Sequence, residues 1–138
     1  MGRYVKEREF IPDLIMSSSA RRTKETVELM ATELPGRRRL DYLAALYLAR
    51  PAALRAAIRS APEKIKTLMV VAHNPGVEEL AASLAREPIR RKERDRSDLI
   101  GEKYPTAALA VLDFAVARWR DVAPGQGELV DFVRPRDL

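Results

Sequence analysis

The sequence predicts an α/β fold, with a mostly parallel sheet and antiparallel strands at its C-terminal end. Three observations predict it. Asp13–Met16 reads as a short buried strand and Leu68–Ala72 as a short apolar run, and each is followed within a few residues by a segment of helical periodicity. The second run carries two valines and ends at His73, the only histidine. Residues 106–133 then read as strands around Pro124-Gly125-Gln126-Gly127, which predicts an antiparallel meander.

Taken in order, Gly2–Glu9 reads as the end of a helix, with Tyr4 and Val5 apolar and Pro12 beyond it. After the Asp13–Met16 strand, Ser17, Ser18 and Ser19 offer N-caps. Ala20, Thr23, Val27, Met30 and Leu34 recur at three and four, giving a helix from about Ser19 to Leu34 that Pro35-Gly36 stops. Asp41–Leu48 is a strand followed by a short turn or helix. Pro51 begins a helix with Leu54, Ala57 and Ile58 on one face, ending near Ser60. The buried Leu68–Ala72 strand follows. Asn74 is its expected helix cap and Pro75 suits the first turn, before Val77, Leu80, Ala81 and Leu84. Glu87–Lys103 mixes both charges and predicts a solvated loop or short helix. Strands are expected at Thr106–Phe114, Ala115–Asp121 and Glu128–Val133.

At 138 residues the chain is one domain, residues 1–138. Hydrophobic residues make up 46% and charged residues 33%, an ordinary soluble balance, and no apolar run is long enough to span a membrane. The charged N-terminus has no signal-peptide character, and Lys6 breaks the myristoylation pattern after Gly2. There is no cysteine, hence no disulfide, thiol nucleophile or cysteine metal site, and the cytoplasm is the default compartment. One histidine excludes a histidine-rich metal site; neither a metal nor another cofactor is expected. The net charge of +5 favours anionic partners: phosphorylated substrates, nucleic acid or an acidic protein.

Parallel neighbours with right-handed crossovers would bring Ser17–Arg22 and His73 to one rim of the sheet, outside the strands' carboxyl ends. Arginine, serine hydroxyls, an imidazole and two helix N-termini suit a phosphoryl group. The alternatives are a histidine that satisfies a cap or carbonyl, and arginines that are merely solvated.

Ser18-Ser19-Ala20-Arg21-Arg22-Thr23-Lys24-Glu25-Thr26 resembles the histidine-phosphatase pattern Ser-Pro-x-x-Arg-x-x-x-Thr, and Val71-Ala72-His73-Asn74-Pro75-Gly76 resembles the family's second histidine segment. Tyr104-Pro105-Thr106-Ala107-Ala108 and Leu129-Val130-Asp131-Phe132-Val133-Arg134-Pro135 narrow the resemblance to the SixA-type phosphohistidine phosphatases; Asp41–Leu48 matches less closely. The resemblance covers nearly the whole chain. It implies a three-layer α/β/α fold of the phosphoglycerate mutase-like kind, and a phosphatase acting through a phosphohistidine intermediate. It makes Arg22 the phosphate-binding arginine, with Arg21 the weaker choice. His73 becomes the second active-site histidine, hydrogen-bonding the phosphoryl group, and Ser18 a phosphate-binding residue. Ser19 stands where the family usually has proline, and can still cap the helix.

One departure is severe. The family's nucleophile lies in an Arg-His-Gly-type motif after its first strand, and this sequence contains no Arg-His pair. The region resembling Met1–Glu9 follows that strand in the family, so the first strand is expected to be missing. An artificial or mis-assigned start is favoured over a genuinely shortened product. The 138-residue chain is then expected to lack turnover, and to self-associate through the exposed sheet. The expected partner is a phosphorylated protein or a small phosphorylated substrate; the alternative is a phosphate or phosphoprotein binding module without turnover. Asp41, Glu78 and Glu79 are candidate general acids by position only. Nucleic acid is disfavoured: no recognition motif accompanies Arg37–Arg39 or Arg86–Arg96, and aromatic residues are 6%.

Overall fold

Leu14–Ser18 (β1) is buried at all five positions and forms the centre of a three-stranded parallel sheet in the computed structural model, which describes residues 1–102, 105 and 107–138. Arg39–Leu43 (β2) pairs with one edge of β1 and Leu68–Val71 (β3) with the other. Successive β1 side chains point to opposite faces. Leu14 and Met16 enter a core with Leu54, Ile58, Leu80 and Leu84, from helices Pro51–Arg59 and Gly76–Leu84. Ile15 enters a second core with Val5, Val27 and Met30, from helices Gly2–Glu7 and Arg21–Thr32. These helices are α3 and α4 on one face, α1 and α2 on the other, and the result is three layers. The mixed α/β class and the mostly parallel sheet are as the sequence predicts.

The antiparallel part is a separate two-stranded sheet, Leu109–Asp113 (β4) with Glu128–Val133 (β5). It is not the expected meander. Ala115–Asp121 is no strand: it is a loop ending in a 3-10 turn at Trp119–Asp121. The Trp119 indole donates to the Ile65 carbonyl at 2.7 Å, and the Arg59 guanidinium donates to the Arg120 carbonyl at 2.8 Å. Those contacts pull the segment onto the α3 side, where no strand can pair with it.

Two other expectations need correction, and one open alternative resolves to a helix. Asn74 does not cap α4; Pro75 occupies the N-cap, across a cis Asn74–Pro75 bond. The β3 strand is half-buried rather than buried at all four positions, and among the described residues it pairs along one edge only. The polar segment forms a 12-residue helix, Arg91–Glu102 (α5), which buries Ile100 and, against its charge, Glu93. The Tyr104-Pro105-Thr106 stretch, apart from Pro105, lies outside the described residues.

Glu93 tolerates burial because each of its oxygens has a donor. Arg86 reaches it through Nε at 2.9 Å and Nη2 at 3.1 Å, and the Ile89 amide adds a bond of 3.1 Å. Chiefly because of the Arg86 hydrogen bonds, the Glu93 carboxyl is held at about 2 against an ordinary 4.5. A depressed carboxyl stabilises the fold fully above its unfolded value and loses that contribution as the pH falls through the folded one. We expect chemical denaturation midpoints to drop between pH 4.5 and 2. Glu93→Gln should lower the midpoint at pH 7 and flatten the slope over that window.

Candidate functional site

The register of the sheet builds the site. Ser17 stands opposite Val71 and Ser18 opposite Leu43, so all three parallel strands end level. The residues after each strand therefore share one rim, the usual ligand side of such a sheet. His73 emerges two positions after β3, and its Nε2 lies 3.1 Å from Ser18 Oγ. Ser18 Oγ also accepts the Ala20 amide at 3.2 Å. In the Nδ1–H tautomer Nε2 accepts the serine proton; in the other tautomer, or the imidazolium, Nε2–H donates to Oγ. Tyr47, just beyond β2, meets the imidazole edge to face, with ring centroids 5.5 Å apart.

At the start of α2 the N-cap is Ala20, with no side-chain cap, so neither Ser18 nor Ser19 fills that place. The first helical bond runs from Lys24 N–H to Ala20 O, which leaves the amides of Arg21, Arg22 and Thr23 ahead of it. Thr23 Oγ1 bonds back to the carbonyls of Ser18 and Ala20 and pins the turn. The neighbouring arginines differ. Arg21 is 93% exposed and paired with Glu25 at 3.0 Å. The Arg22 guanidinium has no ion pair among the described residues. The structure thus brings Ser18 and His73 into contact and leaves Arg22, the second residue of α2 and four positions after Ser18 in sequence, exposed.

A cavity of about 130 Å³ adjoins His73, lined by Leu48, Arg50, Pro51, Pro75 and Glu79 among others. That is below the ~300–1,000 Å³ of pockets for drug-sized ligands, and suits a group of side-chain size. Two loops make it: one after β2, with Leu48 at φ +49°, and one after β3. A Cβ on Gly76 would sit 2.2 Å from the Ala49 carbonyl oxygen, so glycine is what lets the loops touch. Of the three candidate acids, only Glu79 lines this cavity. Asp41 lies within β2, paired with Arg39 at 3.0 Å, and does not reach the rim. Tyr47 and Arg50 were not foreseen, although the level strand ends required the loop after β2 to arrive there.

The basic stretches are partly occupied. Arg39, Arg86 and Arg96 are tied to Asp41, to Glu93 and Glu128, and to the Leu129 carbonyl. Among the described residues no group of three His, Cys, Asp or Glu could hold a metal ion, and no helix is long and apolar enough to cross a membrane.

No family model matches the chain. It is 35% identical over 124 residues to an uncharacterised protein of Mycobacterium tuberculosis, spanning 90% of this chain and 74% of that protein. An uncharacterised protein of Mycobacterium leprae is 30% identical over 122 residues, spanning 88% and 71%. Among solved structures, the SixA protein of Nakamurella multipartitia superposes with a TM-score of 0.79 at 22% identity, covering 97% of this chain and 77% of that one. The SixA protein of Agrobacterium tumefaciens gives 0.73 at 27% identity, covering 97% and 75%. Both bear the assignment phosphohistidine phosphatase. The protein histidine phosphatase SixA in complex with tungstate gives 0.73 at 17%, covering 99% and 77%.

The tight approach at Gly76 gives a direct check. Gly76→Ala should cost about 1–3 kcal/mol by overpacking. Gly101→Ala, in α5 with nothing within 4 Å of its Cβ position, should instead gain up to about 1 kcal/mol. Urea denaturation of the two variants measures both.

Proposed function

Because this chain belongs to the family of its mycobacterial relatives and has a SixA-type histidine-phosphatase fold, we propose that its rim is the phosphate-binding side of a phosphohistidine phosphatase. The ligand is the phosphoryl group of a phosphorylated protein. Arg22 holds the phosphoryl oxygens through a bidentate guanidinium, the first amides of α2 add donors, and His73 contributes a hydrogen bond as charge develops. The observation that carries this reading is the Ser18–His73 contact of 3.1 Å at the level ends of β1 and β3.

Residues 1–138 taken alone bind without turnover. The nucleophile of the family is a histidine, and the only one here is engaged with Ser18. A Ser–His nucleophile pair is a poor substitute: Ser18 is fully buried and its oxygen already accepts an amide. An attacking oxygen needs access to phosphorus, which the fully buried Ser18 lacks; for the same reason the expected phosphate contact of Ser18 is replaced by a role in positioning His73. To Glu79, the acid that lines the cavity beside His73, we assign the hydrogen bond from the group that carries the phosphate.

Tungstate titration by calorimetry, with a phosphate-release assay on a phosphohistidine peptide, tests both parts. Wild-type residues 1–138 should bind tungstate and release no phosphate above background. Arg22→Ala should weaken binding about 10- to 100-fold, the range for hydrogen bonds to a charged group. Arg21→Ala should change it less than about twofold, as for an exposed surface pair. Equal affinities for wild type, Arg22→Ala and His73→Ala would place the anion elsewhere, and a phosphoenzyme on protein of confirmed 138-residue mass would overturn the absence of turnover.

A further inference from the structure

Ser18 is fully buried, and its hydroxyl oxygen has two partners among the described residues: the Ala20 amide at 3.2 Å and His73 Nε2 at 3.1 Å. The amide can only donate, so it occupies an acceptor site of Oγ. The hydroxyl hydrogen is then left with one acceptor among these partners, the lone pair of Nε2. If Nε2 carried a proton instead, both neighbours would donate to Oγ. The serine hydrogen would be buried without a partner, which is the costly arrangement. The buried contact therefore selects Nε2 as the acceptor and puts the proton of the neutral imidazole on Nδ1. One directed chain results, from the Ala20 N–H to Ser18 O–H to Nε2. It ends in an Nδ1–H that has no hydrogen bond among the described residues.

A hydrogen bond at one nitrogen fixes a point of the ring but not its plane. The plane is set by Tyr47, whose ring centroid lies 5.5 Å from that of His73 at an interplanar angle of 77°. That is the edge-to-face arrangement that aromatic pairs prefer. Tyr47 is 56% exposed, so its ring adds little to the core. The loop that carries it is held by other groups. Leu46 is buried beside it, the Tyr47 amide donates to the Ala44 carbonyl at 3.1 Å, and Gly76 lets the Ala49 carbonyl approach closely. Leu48 takes a left-handed φ of +49°, a conformation that costs a leucine energy and persists where its surroundings impose it. The loop thus presents an aromatic ring to the imidazole without depending on that ring for its own fold.

We infer that Tyr47 is a positioning residue for His73. With Ser18 on Nε2 and Tyr47 against the ring, the imidazole is held so that Nδ1–H, and not Nε2, meets the anion at the rim. The role toward the anion rests on the phosphate-binding reading; the tautomer and the hold on the ring stand without it.

His73 is the only histidine, so isotope-labelled residues 1–138 give a single imidazole spin system by nuclear magnetic resonance. Long-range proton–nitrogen correlation at about pH 8, above the ordinary imidazole pKa of ~6.5, should show Nδ1 protonated and Nε2 bare. Saturating tungstate should shift Nδ1 more than Nε2. Tyr47→Ala should mix the two tautomers and weaken tungstate binding about 2- to 10-fold, the range an aromatic pair is worth, with an unfolding midpoint close to that of the wild type. Tyr47→Phe keeps the ring and should restore both the tautomer and the affinity. Wild-type protein with Nε2 protonated overturns the proposal. So does Tyr47→Ala with the wild-type tautomer and affinity, or a tungstate shift larger at Nε2 than at Nδ1. A wild type that binds no tungstate overturns the phosphate-binding reading instead, and the tautomer of the free protein, with its response to Tyr47→Ala, still decides the hold on His73.

Discussion

Everything at the rim depends on how β3 is laid against β1. The alignment is set at the opposite end of the strands, by Asp13. Its carboxylate accepts the amides of Lys66 and Thr67 at 3.0 and 3.1 Å, and its own amide donates to the Thr67 carbonyl at 2.9 Å. With that end latched, Leu14 to Ser17 pair in turn with Leu68 to Val71, and Ser18 and His73 arrive together. A slip of one residue would displace the ends by ~3.3 Å and turn each side chain to the other face. It would place Met16 among the partners of Ile15 and separate the serine from the histidine.

Much of this was legible because the two βα units carry complementary local signals. Apolar runs bounded by small polar residues mark β1 and β3, and periodic leucines and alanines mark α3 and α4. The rim could be inferred from strand direction alone, without any contact being known. What escaped was set by distant partners. Trp119 reads as a strand residue, yet its indole finds Ile65, 54 positions away in sequence. Glu93 reads as one more charge in a solvated run, yet Arg86 and the Ile89 amide make its burial tolerable. Arg50 and Tyr47 carry no local mark of function; only the third parallel strand brings them to His73.

The charge of the chain is likewise unevenly used. Several arginines are spent within the fold, on Glu93, Asp41, Asp137 and backbone carbonyls. An arginine with a carboxylate partner has less to offer an incoming anion, because binding must first displace that partner. By this measure Arg21, held by Glu25, and Arg22, unpaired among the described residues, are not equivalent despite being adjacent. The preference comes from local geometry on one helical turn, and it points to the residue that the motif spacing also selects.

The half-buried state of β3 is informative because it conflicts with the residues that compose it. A run such as Leu-Met-Val-Val belongs in a strand with neighbours on both edges and helices on both faces. The helices are present on both faces, and one neighbour is present. β4 repeats the same mismatch from the other side, apolar throughout its first four positions and bonded only to β5. β4 differs in carrying a register shift between Val111 and Leu112 and an exposed Asp113 at its end. The two sheets are held together instead through shared helices and side chains, with α1 tied to β5 through the Tyr4–Asp131 hydrogen bond.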